Sequence, residues 1–146
     1  MKTTKLKRLR EEWEVTEKHA GSIYCGIKEG VPSCEYFGDL FDMMASFYQI
    51  LIICITRFDK CLEFLDQIAG WDKDVSFNPI VDNTYIFAEV ENRDTKLEAP
   101  RDIKAFGLNY FNAVCMIADD FGCTVDYILD GIRCMILHDI SRQGLN

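Results

Sequence analysis

Proline is scarce in this chain, 3 in 146 residues, and glycine numbers only 9, so no proline-rich or glycine-rich linker divides it. Histidine is scarcer, with only His19 and His138. No Gly-x-Ser-x-Gly sequence accompanies either of them, so nucleophilic catalysis has no recognisable site. A phosphate-cradling G-x-x-x-x-G-K sequence is missing as well. So are the two facing Glu-x-x-Glu or Glu-x-x-Asp pairs that an all-helical nucleotide pyrophosphohydrolase needs. Long apolar runs are also lacking. The uncharged stretch Met43 to Thr56 has fourteen residues and none is longer, whereas a membrane span takes about 20. The expectation is a protein that is not an enzyme, carries no cofactor and crosses no membrane.

What is present describes one globular domain, residues 1–146. Hydrophobic residues make up 49% and charged residues 27%, and at this length folding buries about 68–70% of the unfolded chain's surface. The formal charge is −8, which favours solubility and opposes broad contact with phosphate backbones. The distribution is uneven. Residues 1–18 hold Lys2, Lys5, Lys7, Arg8, Arg10 and Lys18 against Glu11, Glu12, Glu14 and Glu17, so this arm is +2 and the remainder −10. Any nucleic-acid contact is expected at Lys2, Lys5, Lys7, Arg8 and Arg10. The alternative is a solvated helix with Lys7–Glu11 and Arg10–Glu14 pairs.

Seven cysteines are an odd number, and no apolar secretory segment precedes them. They read as thiols used as small apolar side chains in a reducing cytosol, giving a cytoplasmic location. Zinc requires clustered ligands, and the nearest cysteines here are seven to nine residues apart, so no metal site is expected. Asp119, Asp120, Asp126 and Asp130 could suggest a magnesium cluster. Asp119 and Asp120 should instead face outward, and Asp126 suits the first turn of a helix on dipole grounds.

The periodicity predicts a predominantly helical α+β fold. Leu6, Leu9 and Trp13 give a basic amphipathic N-terminal helix within residues 1–20. Gly21, Gly26, Gly30 and Pro32 then break the chain. Ser33 reads as the cap of a long helix over 33–70, with Phe37, Leu40, Phe41, Met44, Phe47, Tyr48, Leu51, Ile52 and Ile55 at helical spacing. Between Phe47 and Ile55 this helix is apolar nearly all round, which places it in the centre or in a subunit contact. Strands are expected within 75–98. Tyr85 to Glu91 alternates and turns at Asn92–Asp94 into Thr95–Glu98, a small hairpin that Val75–Phe77 could extend. Tyr85, Phe87 and Glu89 share the face opposite Ile86, Ala88 and Val90, and one of the two faces needs cover from a subunit, a partner or a ligand. Helices over 101–140 complete the domain, one with Phe106, Tyr110, Val114, Ile117 and Phe121 on its stripe and stopping at Gly122. The next is capped by Thr124 and buries Ile128, Leu129, Ile132, Met135 and Ile136.

The run Ile117-Ala118-Asp119-Asp120-Phe121-Gly122-Cys123-Thr124-Val125-Asp126-Tyr127-Ile128-Leu129-Asp130-Gly131 resembles the closing helices of Cro and phage-repressor type helix-turn-helix domains. Leu6 to Glu12 with Val15-Thr16 is similar to that family's first helix. The resemblance covers about a third of the chain and implies a tight helical corner and a protein of bacterial or phage type. The family reads DNA with a polar recognition helix, and between Thr16 and Gly30, interrupted by Gly21 and Gly26, no such helix fits.

These readings point to a non-enzymatic binding or regulatory protein that associates with itself as a homodimer or higher oligomer. One version is an acidic anti-defence (anti-CRISPR-like) inhibitor that occupies a basic nucleic-acid cleft of a host protein. Its contact surface would draw on Tyr85, Phe87, Glu89, Glu91, Asp119 and Asp120. A DNA-binding transcriptional regulator using the basic arm is the first alternative. A protein that sequesters a small nucleotide, with Tyr85 and Phe87 stacking on its base, is the second.

Overall fold

The computed structural model describes residues 21–28, 31–71, 84–91 and 94–142. In chain order these form β1 (Gly21–Lys28), β2 (Val31–Phe37), α1 (Leu40–Cys54), α2 (Phe58–Ala69), β3 (Thr84–Glu91), β4 (Asp94–Glu98), α3 (Ile103–Phe121) and α4 (Val125–Arg142). The strands make one antiparallel sheet in the order β2-β1-β3-β4. Helices α1 and α3 pack on one face of the sheet, and α2 and α4 form a further layer behind them.

Alternation fixes which face of each strand turns inward. Ile23, Cys25, Ile86 and Ala88 are fully buried against the helices, and Cys34, Tyr36 and Leu97 pack beside them. The register carries this pattern across the sheet, with Cys34 opposite Cys25, Cys25 opposite Ile86 and Ala88 opposite Leu97. On the helical side, Phe47, Tyr48, Ile50 and Leu51 of α1 and Tyr110, Phe111, Val114 and Ile117 of α3 fill the centre. Arg133 of α4 ties the outer layer together, donating to Asp66 of α2 at 2.7 Å and to Asp130 at 2.9 Å.

Helix α1 starts where a reciprocal cap permits it. The Asp42 amide donates to Asp39 Oδ1 and the Asp39 amide to Asp42 Oδ2, each at 2.9 Å, so two otherwise unpaired donors of the first turn are satisfied. Gly38, with φ of 122°, makes the turn from β2 into this cap. Helix α3 ends in the same economical way: Gly122 adopts the left-handed conformation at φ 66° and its amide returns to Ala118 and Asp119. Thr124 Oγ1 then accepts from the Tyr127 amide at 3.1 Å at the start of α4.

The α+β character, the buried central helix, the Tyr85–Glu98 hairpin and the C-terminal pair of helices are as expected from the sequence. Three readings are corrected. The single helix over 33–70 is a strand followed by two helices. Ser33 lies in β2, Asp39 is the true cap, and the chain leaves helical geometry at Ile55 (φ −121°, ψ 87°). The break is held by Cys61 of α2, whose thiol donates to the Ile55 carbonyl at 3.1 Å. The hairpin is half of a four-stranded sheet, because β1 and β2 occupy the stretch whose glycines and proline suggested only a break. The third correction concerns the cysteines. Cys25 and Cys34 are joined in a disulfide between β1 and β2, while Cys54, Cys61, Cys115, Cys123 and Cys134 remain thiols. The basic N-terminal helix and the Val75–Phe77 strand fall outside the described residues.

Among the described residues no helix is long and apolar enough to cross a membrane. Nor does any group of three or more His, Cys, Asp or Glu side chains in that set form a metal site.

Candidate functional site

The helices cover one face of the sheet, and the other face carries the residues that alternate outward. Among them are Ser22 and Tyr24 of β1, Val31, Ser33, Glu35 and Phe37 of β2, Tyr85, Phe87 and Glu89 of β3, and Lys96 and Glu98 of β4. A sheet with one solvated face normally shows short polar side chains there. Here Tyr24 is 44% exposed, Tyr85 38% and Phe37 67%, with Phe87 half-buried among them.

The register assembles them. Tyr24 stands opposite both Glu35 and Phe87, and Phe87 stands opposite Glu98. A row Glu35–Tyr24–Phe87–Glu98 therefore runs across all four strands, with aromatic rings at its centre and a carboxylate at each end. Neighbouring strands lie about 4.8 Å apart, so the two ends are about 14 Å from one another. Tyr85, diagonal to Tyr24, stacks on it with ring centroids 5.2 Å apart and planes 24° from parallel. Its hydroxyl donates to Glu98 Oε2 at 2.8 Å. That hydrogen bond, then the charge of Glu98, then burial and Tyr24, raise the Tyr85 phenol above its ordinary value. The hydroxyl thus stays protonated through the neutral range and fixes both the ring and the carboxylate.

Among the described side chains of this face the charge is of one sign apart from Lys96, which lies 3.9 Å from Glu89. Glu35 and Glu98 flank the rings without a basic side chain between them. Carboxylates beside aromatic π faces attract a guanidinium or ammonium group and repel phosphate.

Of the residues singled out in the sequence, the structure gathers Tyr85, Phe87 and Glu89 on this face. The Glu91 backbone pairs with Asp94 at the end of β3, and its side chain lies outside the described residues. Asp119 and Asp120 are elsewhere, in the last turn of α3 on the helical side of the sheet. There Asp120 accepts from the Tyr36 hydroxyl; burial first, and then the Asp120 charge and this hydrogen bond, raise the Tyr36 phenol. Lys2, Lys5, Lys7, Arg8 and Arg10 lie outside the described residues. Tyr24, Glu35, Phe37 and Glu98 were not anticipated as site residues. The signal for Tyr24 was the alternation Ser22, Ile23, Tyr24, Cys25, masked by Gly21 and Gly26.

The corner resembling phage repressors, residues 117–131, is two helices joined through Gly122 and Thr124. A groove of about 400 Å³ opens beside it, between Trp71, Phe111, Ala118, Cys123 and Asp126. Cys123 is partly buried, which raises its thiol, so it is a poor nucleophile at neutral pH. No family model, curated protein or solved structure matches the chain.

Proposed function

We propose that this chain is a non-enzymatic binding protein of bacterial or phage type that engages a basic partner protein through the outer face of its sheet. The observation that carries this reading is the exposed Tyr24–Tyr85 stack set between Glu35 and Glu98. Rings held at low conformational cost make effective anchors, and flanking carboxylates give orientation and steer association. The acidic balance of the chain suits a partner whose own task is to hold nucleic acid. Such a protein presents a basic cleft, and an acidic competitor there acts as an inhibitor of a host nuclease or signalling system.

The reading is tested by measuring fluorescence anisotropy of labelled basic peptides, acidic peptides and a random DNA duplex with the purified chain at physiological salt. Binding of the basic peptides alone, lost in a Tyr24→Ala/Tyr85→Ala variant, is the expected result. Salt-sensitive binding of the duplex would favour a DNA-binding regulator acting through Lys2, Lys5, Lys7, Arg8 and Arg10.

Sequestration of a small nucleotide is the second reading, and the stacked tyrosines favour it because a base could lie on them. Glu35 and Glu98 oppose it by repelling the phosphates. A thermal shift with a nucleotide panel separates the two, since only a ligand that prefers the folded state raises Tm.

A further inference from the structure

Resting on the reading of the outer sheet face as a docking surface, we propose that its occupant is an extended protein segment bearing two arginines four residues apart. The two guanidinium groups pair with Glu35 and Glu98, and the side chain midway between them lies on Tyr24 and Phe87.

The spacing follows from the row across the sheet. Glu35 and Glu98 sit three strand spacings apart, about 14 Å, on opposite sides of the rings. An extended chain advances about 3.3–3.4 Å per residue, so positions i and i+4 are about 13 Å apart and project to the same side. Position i+2 projects to that side too and meets the aromatic centre. A helix fits worse. Its same-face positions at i+7 and i+11 fall at about 10.5 and 16.5 Å, either side of the required span.

The chemistry selects arginine over lysine. A guanidinium is flat, stacks on an aromatic face and meets a carboxylate through two parallel hydrogen bonds, whereas an ammonium does neither as well. Tyr85 already holds Glu98 Oε2 at 2.8 Å, so that carboxylate is oriented before the partner arrives. Preorganisation of this kind reduces the entropy lost on binding. A nucleic acid is disfavoured by the same carboxylates. A second copy of this chain would set Glu35 and Glu98 against like charges.

The test uses the full chain and labelled heptapeptides at physiological salt. One is Gly-Arg-Ser-Val-Ser-Arg-Gly. The others are an isomer with the arginines two residues apart, the dilysine analogue and a diglutamate control. The expected result is that the first peptide binds about tenfold more tightly than its isomer or the lysine analogue, a difference typical of one well-formed charge-assisted contact. Glu35→Gln and Glu98→Gln should each remove that preference while leaving the circular dichroism and Tm unchanged, because both side chains are exposed.

If all basic peptides bind alike and Tyr24→Ala abolishes binding, the two-arginine occupant is overturned while the docking face stands. If no basic peptide binds, or the diglutamate control binds as well, both are overturned. If the chain sediments as a dimer that Phe37→Glu dissociates, the face is covered by a second copy and the proposal also fails.

Discussion

The Tyr110 hydroxyl, in the middle of α3, donates to the Phe47 carbonyl of α1 at 3.1 Å, and the two rings meet edge to face with centroids 5.2 Å apart. This pair joins the two helices that support the sheet. Tyr110 is completely buried, so its hydroxyl would lose water without compensation if the carbonyl were not there. Tyr110→Phe removes the hydrogen bond and keeps the ring contact. It should cost about 1 kcal/mol, because the Phe47 carbonyl remains engaged in its own helix. Urea titration of the two proteins with a common m-value checks this.

Alkali should unfold the protein through the same residue. Burial, followed by the nearby Cys61 and Cys54 thiols, raises the Tyr110 phenol well above its ordinary value of 10.0. Burial and then Asp59 push the Cys61 thiol up from 9.0 to about 11. Both groups are neutral when protonated and both pKa values are raised in the folded state. Their contribution to stability is therefore complete below pH 9 and is lost as pH climbs through 11 and beyond. Phenolate absorbance followed against pH should show Tyr110 ionising only together with the loss of near-ultraviolet circular dichroism. A smooth titration that precedes unfolding would contradict the burial argument.

Two glycines should respond differently to alanine. Gly122 has a left-handed φ of 66° with nothing within 4 Å of a Cβ, so Gly122→Ala costs only the backbone term, about 1–2 kcal/mol. Gly122→Asn should cost less, since asparagine tolerates that conformation. Gly38 combines φ of 122° with a Cβ position 2.7 Å from Asp42 Cβ. Gly38→Ala must therefore disturb the Asp39–Asp42 cap as well, and it should lower Tm further than Gly122→Ala does.

Reduction of Cys25–Cys34 should destabilise the chain by about 2–3 kcal/mol, the loop-entropy value for a short closed loop. The residues are nine apart in sequence. The denaturation midpoint with and without a thiol reductant measures this. A Cys25→Ala/Cys34→Ala variant should be insensitive to the reductant, and any remaining sensitivity would point to another thiol pair.

Where one periodicity acted alone, the sequence was readable. Tyr85–Glu91 alternates without interruption, and α3 and α4 are bounded by Pro100, Gly122 and Thr124, so their positions and buried faces could be anticipated. Two periodicities collided between residues 33 and 44. Phe37, Leu40, Phe41 and Met44 satisfy helical spacing, although Phe37 belongs to a strand and is 67% exposed. The capping box used two aspartates rather than the serine, threonine and glutamate pattern that announces one. The break after α1 had no glycine or proline to mark it, since a thiol from the next helix satisfies the Ile55 carbonyl. Half of the candidate site was legible, because Tyr85 and Phe87 lie on the readable strand. Tyr24 and Glu35 join them only through a pairing between β1 and β3, and no local pattern reports a contact between strands so distant in sequence.

That pairing has a consequence for how the chain reaches its native state. Ile23 and Ala88 are neighbours in the sheet, yet α1 and α2 are both made between them. The β1–β2 and β3–β4 ribbons each join adjacent segments and can form quickly, while the seam between them closes a long loop whose entropy must be spent first. Docking of the two ribbons should therefore set the folding rate. Substitutions along the seam, such as Ile86→Val, should slow refolding, whereas those at the outer edge of β4 should chiefly speed unfolding. The aromatic row spans that seam, so the surface proposed for binding would come into existence only at the last step of folding, and partly folded chains would not display it.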